Sequence, residues 1–243
     1  MLPIQVKKLN ALTGHRDCVY TLEPTRVAGK FFSAAGDGMV VLWDLKKPDE
    51  GELIARLNNS IYALHLLPNN LLVAGHNYDG IHLLDWQQKK EVASLRLTMA
   101  AIFDIKSVGN ELWIAEGNGG VIVVDLSSLT IKAKIHASEK SARVIAINSA
   151  GGEVAVGYSD NVIRVFDTHH YTLKNEWEAH ANSVFTLAFL PNGRLLSGSR
   201  DARLKLWKQG DWSLDTEVVA HLFAINDIVL HPSLPYFATA SMD

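Results

Sequence analysis

The sequence predicts an all-β protein, made by copying one small antiparallel unit along the chain. Three observations predict it. The residues Trp43, Leu84, Val124, Phe166 and Trp207 each close a strand-like run, at steps of 41, 40, 42 and 41 residues. A fixed period of this size is the mark of a modular architecture. The apolar runs are short and rich in β-branched residues, as in Val40–Leu42, Val121–Val124 and Val162–Ile163, and they lack the 3.6-residue period of a helix. Turn residues such as Pro191-Asn192-Gly193 and Arg200-Asp201 punctuate them.

The segment from His180 to Lys208 is the clearest copy. A histidine stands ahead of three strand-like runs, and a tryptophan closes the third. First runs are expected at Val19–Leu22, Ile61–Leu64, Ile102–Ile105, Val144–Ile147, Val184–Leu187 and Ile225–Ile228. Second runs follow at Phe31–Ala35, Leu71–Ala74, Leu112–Ala115, Val154–Val156, Leu195–Ser197 and Tyr236–Ala240. A fourth, more polar run comes after each third one, near 52–57, 90–97, 130–136, 172–178 and 214–219. Its charges suit an outer edge in water. Each unit therefore reads as four strands, buried at the start and wet at the end, with links too short for a second domain.

Composition narrows the function. The 23 basic and 26 acidic residues nearly balance, at a net −3, and no basic block resembles a nucleic-acid arm. No nucleic acid is expected as a partner. No apolar run approaches the roughly 18 residues of a membrane span, and the first residues lack signal-peptide order, so no membrane is expected either. Cys18 is the single cysteine, which fits a reducing compartment and a cytoplasmic location.

Gly14-His15 followed by Trp43-Asp44 resembles the signature of the WD-repeat family. Ala179-His180 with Trp207-Lys208 is similar, and Ala220-His221 starts a sixth copy. The resemblance implies a β-propeller of four-stranded antiparallel blades around a central channel. The expected blades are about 12–58, 59–98, 99–137, 138–179 and 180–220, with 221–243 a partial sixth; residues 1–11, a fourth-run-like segment from Gln5 to Ala11 among them, would be a closing outer strand. The family commonly has seven blades. The expectation is a ring lacking roughly 55–60 residues at its C-terminal side, by the repeat length. Open strand edges would then favour self-association, or closure by a second chain.

The resemblance also implies a buried network in each blade, joining the His to a second-run Ser or Thr, a turn Asp and the Trp. By position this is His15, Ser33, Asp37 and Trp43 in unit one. In unit five it is His180, Ser197 (or Ser199), Asp201 and Trp207. Unit six offers His221, Thr239 (or Ser241) and Asp243. Unit four has Asp160 and Phe166, with His136 only across a four-residue insertion. His, Ser and Asp could also form a catalytic triad. Recurrence in several units argues for a structural role, since an enzyme rarely copies its active site around a ring. Units two and three carry Leu57 and Thr98 in the His place, with Leu84 and Val124 in the Trp place. Losing both partners together can be nearly neutral, as a structural network allows. Unit two is one residue shorter between Asp79 and Asp85, which puts its turn geometry in doubt. His169-His170 lacks the further ligands a metal needs, Asn118-Gly119-Gly120 reads as a hairpin turn, and no cofactor or metal is expected.

The second residue of each first run is Tyr20, Tyr62, Phe103, Ile145, Phe185 and Asn226, four of them aromatic. The resemblance implies that this position faces the mouth of the channel. An aromatic collar there could grip a Lys or Arg side chain or an apolar anchor. Tyr78, Ser159, Arg200 and Met242 should stand on the same rim, with charge added by Arg16 and Arg143. The reading is a non-catalytic scaffold that binds a protein or peptide through Tyr20, Tyr62, Phe103, Phe185, Tyr78, Arg200 and Arg143. The alternative is an enzyme or small-ligand binder that uses the channel as a pocket. Asp104 and Asp227 could approach such a pocket, but strand alternation turns them toward a neighbouring blade.

Overall fold

Each copied unit folds as an antiparallel sheet with its strands in chain order, in a computed structural model that describes residues 7–148 and 150–243. Two compact bodies divide the chain, Met1–Leu97 and Thr98–Asp243. The first body holds two sheets. Sheet one is Val19–Pro24, Lys30–Ala35, Met39–Asp44 and Glu52–Arg56; sheet two is Ile61–Leu66, Leu72–His76, Gly80–Asp85 and Lys90–Leu95.

The second body holds four. Sheet three is Ile102–Val108, Glu111–Glu116, Gly120–Asp125 and Thr130–His136. Sheet four is Ala142–Asn148, Glu153–Tyr158, Val162–Asp167 and Leu173–Glu178. Sheet five is Val184–Phe189, Leu195–Ser199, Arg203–Trp207 and Leu214–Val219; sheet six has two strands, Ile225–Leu230 and Phe237–Ser241. The all-β class, the four-strand unit and the partial sixth copy are thus as the repeat predicts. Residues 1–6 of the expected closing strand lie outside the described residues, and residues 7–11 carry no strand and are exposed.

Within each body, neighbouring sheets pack through their first and second strands. The apolar seam between sheets one and two is built from Phe32, Val40 and Leu42 against Ile61, Leu72 and Leu84. In the second body, Trp113 and Val123 meet Val154 and Phe166 between sheets three and four, and Ile163 and Val165 meet Val184 and Trp207 between four and five. The residues that mark the repeat are therefore core residues: Trp43, Leu84, Val124, Phe166 and Trp207 are all at most 5% exposed. Burying each aliphatic or Phe side chain of this kind contributes about 1.5–3 kcal/mol. That is why the period survives in the sequence while surface positions drift.

One irregularity recurs in every sheet. The first strand carries a bulge at its second residue, where the pairing jumps: Val19 pairs Ala35 and Thr21 pairs Ala34, leaving Tyr20 over. The same jump leaves over Tyr62, Phe103, Arg143, Phe185 and Asn226. A bulge places one extra residue against its partner strand and re-aims that side chain. This corrects the sequence-based register of unit four. Its first strand begins at Ala142, so the collar place belongs to Arg143, and Ile145 is a core residue at 1% exposure. A shift of two residues keeps the in-and-out alternation, which is why the pattern alone did not fix the register.

Candidate functional site

Hydrogen-bond chains lock the turn that flanks the bulge. In sheet five, Trp207 Nε1 donates to Ser197 Oγ at 2.8 Å, and His180 Nε2 lies 2.8 Å from the same oxygen. His180 Nδ1 meets Asp201 at 3.0 Å, and Asp201 also accepts the amides of Ala181 and Arg203. The segment before the first strand is thereby tied to the turn between the second and third. Burial pushes the His180 imidazole below its ordinary value, with Asp201 opposing. Burial works to raise the Asp201 carboxyl, but the Arg203 amide, His180 and the Ala181 amide outweigh it and hold it low.

Sheet one repeats the arrangement with His15, Ser33, Asp37 and Trp43, at 2.7 Å for both bonds to Ser33 Oγ. In sheet six, His221 reaches Thr239 and Asp243, each at 2.8 Å. Ser199 and Ser241, the alternatives, instead donate to the carbonyls of Asn182 and Phe223.

Sheet four differs from expectation. His136 is exposed and pairs with Glu139, while Ser138 donates to Asp160 at 2.8 Å. With the first strand starting at Ala142, Ser138 stands where His180 stands in sheet five, four residues ahead, and no insertion is needed. Sheet two replaces the whole chain with Leu57, Ala74 and Leu84, packed in the apolar seam. Its turn has the same length as that of sheet five, since Gly75 pairs Ile81 as Gly198 pairs Leu204. Tyr78 thus takes the place of Asp201, at φ 73° and 57% exposed, and Asn77 that of Arg200.

The bulge residues form a candidate surface within each body. In the second body, Arg143 sits between two rings, its Cζ 4.3 Å from the Phe103 centroid and 5.2 Å from that of Phe185. The three residues hold the same bulge place in three consecutive sheets. In the first body, the Tyr20 and Tyr62 rings meet at 4.6 Å, and Asn77 donates to the Tyr62 hydroxyl. Asn226 and Arg200 are exposed, as are Arg16 and Met242, whereas Ser159 is half-buried.

The next residue along the strand reaches the neighbouring sheet in sheets three, five and six. Asp104 accepts the amide of Ile145 at 2.8 Å. Asp227 accepts from the Thr186 hydroxyl, which itself accepts the amide of Ile228. These bonds stitch first strand to first strand and hold the bulge layer in place.

A second set of polar residues was not foreseen. Arg164 on the third strand of sheet four bridges Asp160 and Glu176 and lies over the Tyr158 ring. Lys205, at the matching place in sheet five, meets Glu217 and donates to the Ala179 carbonyl. His82 meets Glu91 in sheet two and stacks on the buried His76. The available signal was a basic residue midway through an apolar third run, with a Glu on the fourth. His170 pairs with Asp167 in an exposed turn, and among the described residues no three His, Cys, Asp or Glu converge to hold a metal. No helix among them is long and apolar enough to cross a membrane.

Residues 6–44 and 171–208 match the family model described as "WD domain, G-beta repeat". The chain is 26% identical over 238 residues to striatin-3 of Rattus norvegicus, covering 96% of this chain and 26% of that protein. It is 25% identical over 239 residues to striatin-4 of Homo sapiens, covering 96% and 28%, and 23% identical over 241 residues to striatin of Mus musculus, covering 96% and 27%. The chain thus spans about a quarter of the length of these curated relatives.

Proposed function

Since the chain belongs to the WD-repeat family, we propose that it is a non-catalytic interaction scaffold whose partner contacts the bulge residues of the first strands, each body presenting its own set. The observation that carries this reading is the recurrence of the bulge at one place in all six sheets, aiming Tyr20, Tyr62, Phe103, Arg143, Phe185 and Asn226. A bulge costs ladder hydrogen bonds, and its repetition at the places that hold aromatic and cationic side chains is what a docking surface needs. The remaining polar groups nearby, Asp104, Asp227 and the His–Ser–Asp–Trp chains, serve as the frame. Tyr78 extends the set of the first body, and Arg200 that of the second, from the adjoining turns.

The test is the triple variant Tyr20→Ala, Phe103→Ala, Phe185→Ala, compared with the parent for the set of proteins each captures. The expected result is loss of that set with an unchanged far-UV circular dichroism spectrum. Equal capture by both would make the layer a packing feature.

A further inference from the structure

We infer that the His76–His82 pair of sheet two is an acid-sensitive latch on the turn beside it, closed while the two imidazoles share one proton and open once a second proton arrives. His76 ends the second strand and is 1% exposed, and His82 lies midway along the third. The two Nε2 atoms are 2.7 Å apart, with the ring planes 29° from parallel. At that distance one nitrogen must donate and the other accept. The direction is fixed from the outer end. His82 Nδ1 lies 3.0 Å from Glu91 Oε1, and an ionised carboxylate only accepts, so Nδ1 holds the His82 proton. His82 Nε2 is then bare and accepts from His76 Nε2–H. His76 Nδ1 is left bare as well, buried and without a hydrogen-bond partner.

A further proton has no favourable place in this arrangement. On His82 Nε2 it drives the His76 proton round to Nδ1, a buried donor with no acceptor; on His76 Nδ1 it puts a cation in the same closed site. Burial accordingly holds the His76 imidazole below its ordinary value, with the charge of His82 adding to this and Asn77 and Asp79 opposing. The same two places hold Tyr158 and Arg164 in sheet four, and Ser199 and Lys205 in sheet five. The ordinary values of Arg and Lys lie well above neutrality, whereas an imidazole changes charge close to it.

The turn next to the pair depends on it. His76 and Gly80 pair across the turn, and Asn77 donates to the Tyr62 hydroxyl and, through its backbone, to the Ser60 carbonyl. Tyr78 stands between them with φ 73°, a conformation that a tyrosine keeps only where its surroundings impose it. The turn also carries Asp79, ion-paired with Arg96 at 3.3 Å. The third strand adds Asp85 at its far end, and the fourth adds Lys90 and Glu91. The first adds Tyr62 and His65, the latter 3.6 Å from Glu23 of sheet one. The flank that sheet one packs against sheet two is apolar, with Phe32, Val40 and Leu42.

Hydrogen exchange of the full chain, followed by mass spectrometry, reads the latch as opening of residues 77–80, so it stands or falls apart from the docking reading. Protection there, corrected for the intrinsic exchange rate, is expected to be level above about pH 7.5 and to fall about threefold or more between about pH 6.5 and 5.5, with about tenfold per pH unit the ceiling for one proton taken up on opening. The variant His76→Ser, His82→Lys copies sheet five and should change less than about twofold over the same range, since it has no imidazole to titrate there. Level protection in the parent, or a variant that keeps the parent's fall, overturns the latch. Should the variant unfold or open the turn at every pH, the parent decides alone. With nitrogen-15-labelled histidine, NMR at neutral pH should show coupling between the two Nε2 atoms across their hydrogen bond, lost in step with protection as the pH falls. No coupling at neutral pH, or coupling that persists where protection is lost, overturns the latch as well.

Discussion

Ser197→Ala tests how the hydrogen-bond chain of sheet five holds its turn. Ser197 is fully buried and serves two partners at once, Trp207 Nε1 and His180 Nε2, each at 2.8 Å. Removing the hydroxyl strands two groups on side chains only 5% and 3% exposed. Each buried unsatisfied group costs about 1–3 kcal/mol, so the loss should be about 2–6 kcal/mol. At about 2–4 °C per kcal/mol for a domain of this size, a mid-range loss of about 4 kcal/mol lowers the melting midpoint by about 8–16 °C. Sheet two supplies the comparison, because Leu57, Ala74 and Leu84 fill the same three places with apolar groups. In a His180→Leu, Trp207→Leu background, which copies sheet two, adding Ser197→Ala should cost less than about 1 kcal/mol, since no partner is left to strand. Chemical denaturation followed by circular dichroism measures both increments. Equal increments in the two backgrounds, within about 0.5 kcal/mol, would refute a coupled chain.

Two further outcomes follow from the same geometry. Acid should destabilise the fold in two windows. The His180 imidazole is held low by burial, so the unfolded state binds more protons and stability falls once pH drops below about 6.5. Asp37 and Asp201 are also held low, and their contribution is lost as pH falls below about 3.9 and through their lower folded values. A urea midpoint that rises on acidification from neutral pH would contradict this sign. At Gly119, with φ 89°, an added Cβ would run into the backbone carbonyl of Ser138, whereas at Gly210, with φ 95°, it would meet nothing within 4 Å. Gly119→Ala should therefore cost at least about 2 kcal/mol and Gly210→Ala about 1 kcal/mol, measured by thermal melts. Equal costs would show that the turn beside Gly119 can shift.

The repeat was legible because its markers are core residues, held by burial at a fixed place in each sheet. The His, Ser, Asp and Trp of sheets one and five stood out because few residue types combine such donors and acceptors. The bulge was not legible. It interrupts the two-residue alternation on which strand reading depends, and in sheet four the strand opens with Ala142, where sheet two has Ile61 and sheet five Val184. A small residue followed by Arg143 did not resemble a β-branched residue followed by an aromatic one. Read from Val144, the run places Ile145 in the collar and leaves His136 as the histidine across a four-residue insertion. The third-strand residues Arg164, Lys205 and His82 were missed because a lone basic residue in an apolar run carries meaning only once its fourth-strand Glu is seen beside it.

The docking reading of the second body stands on the register of the first strand of sheet four, and thiol labelling tests that register most directly. In a Cys18→Ser background, single cysteines are placed at Arg143 and at Ile145 and reacted with a maleimide under native conditions. The account predicts fast labelling at 143, and protection at 145 that is lost only on unfolding. Fast labelling at 145 with protection at 143 would put Ile145 back on the surface, and the Phe103–Arg143–Phe185 layer would not exist.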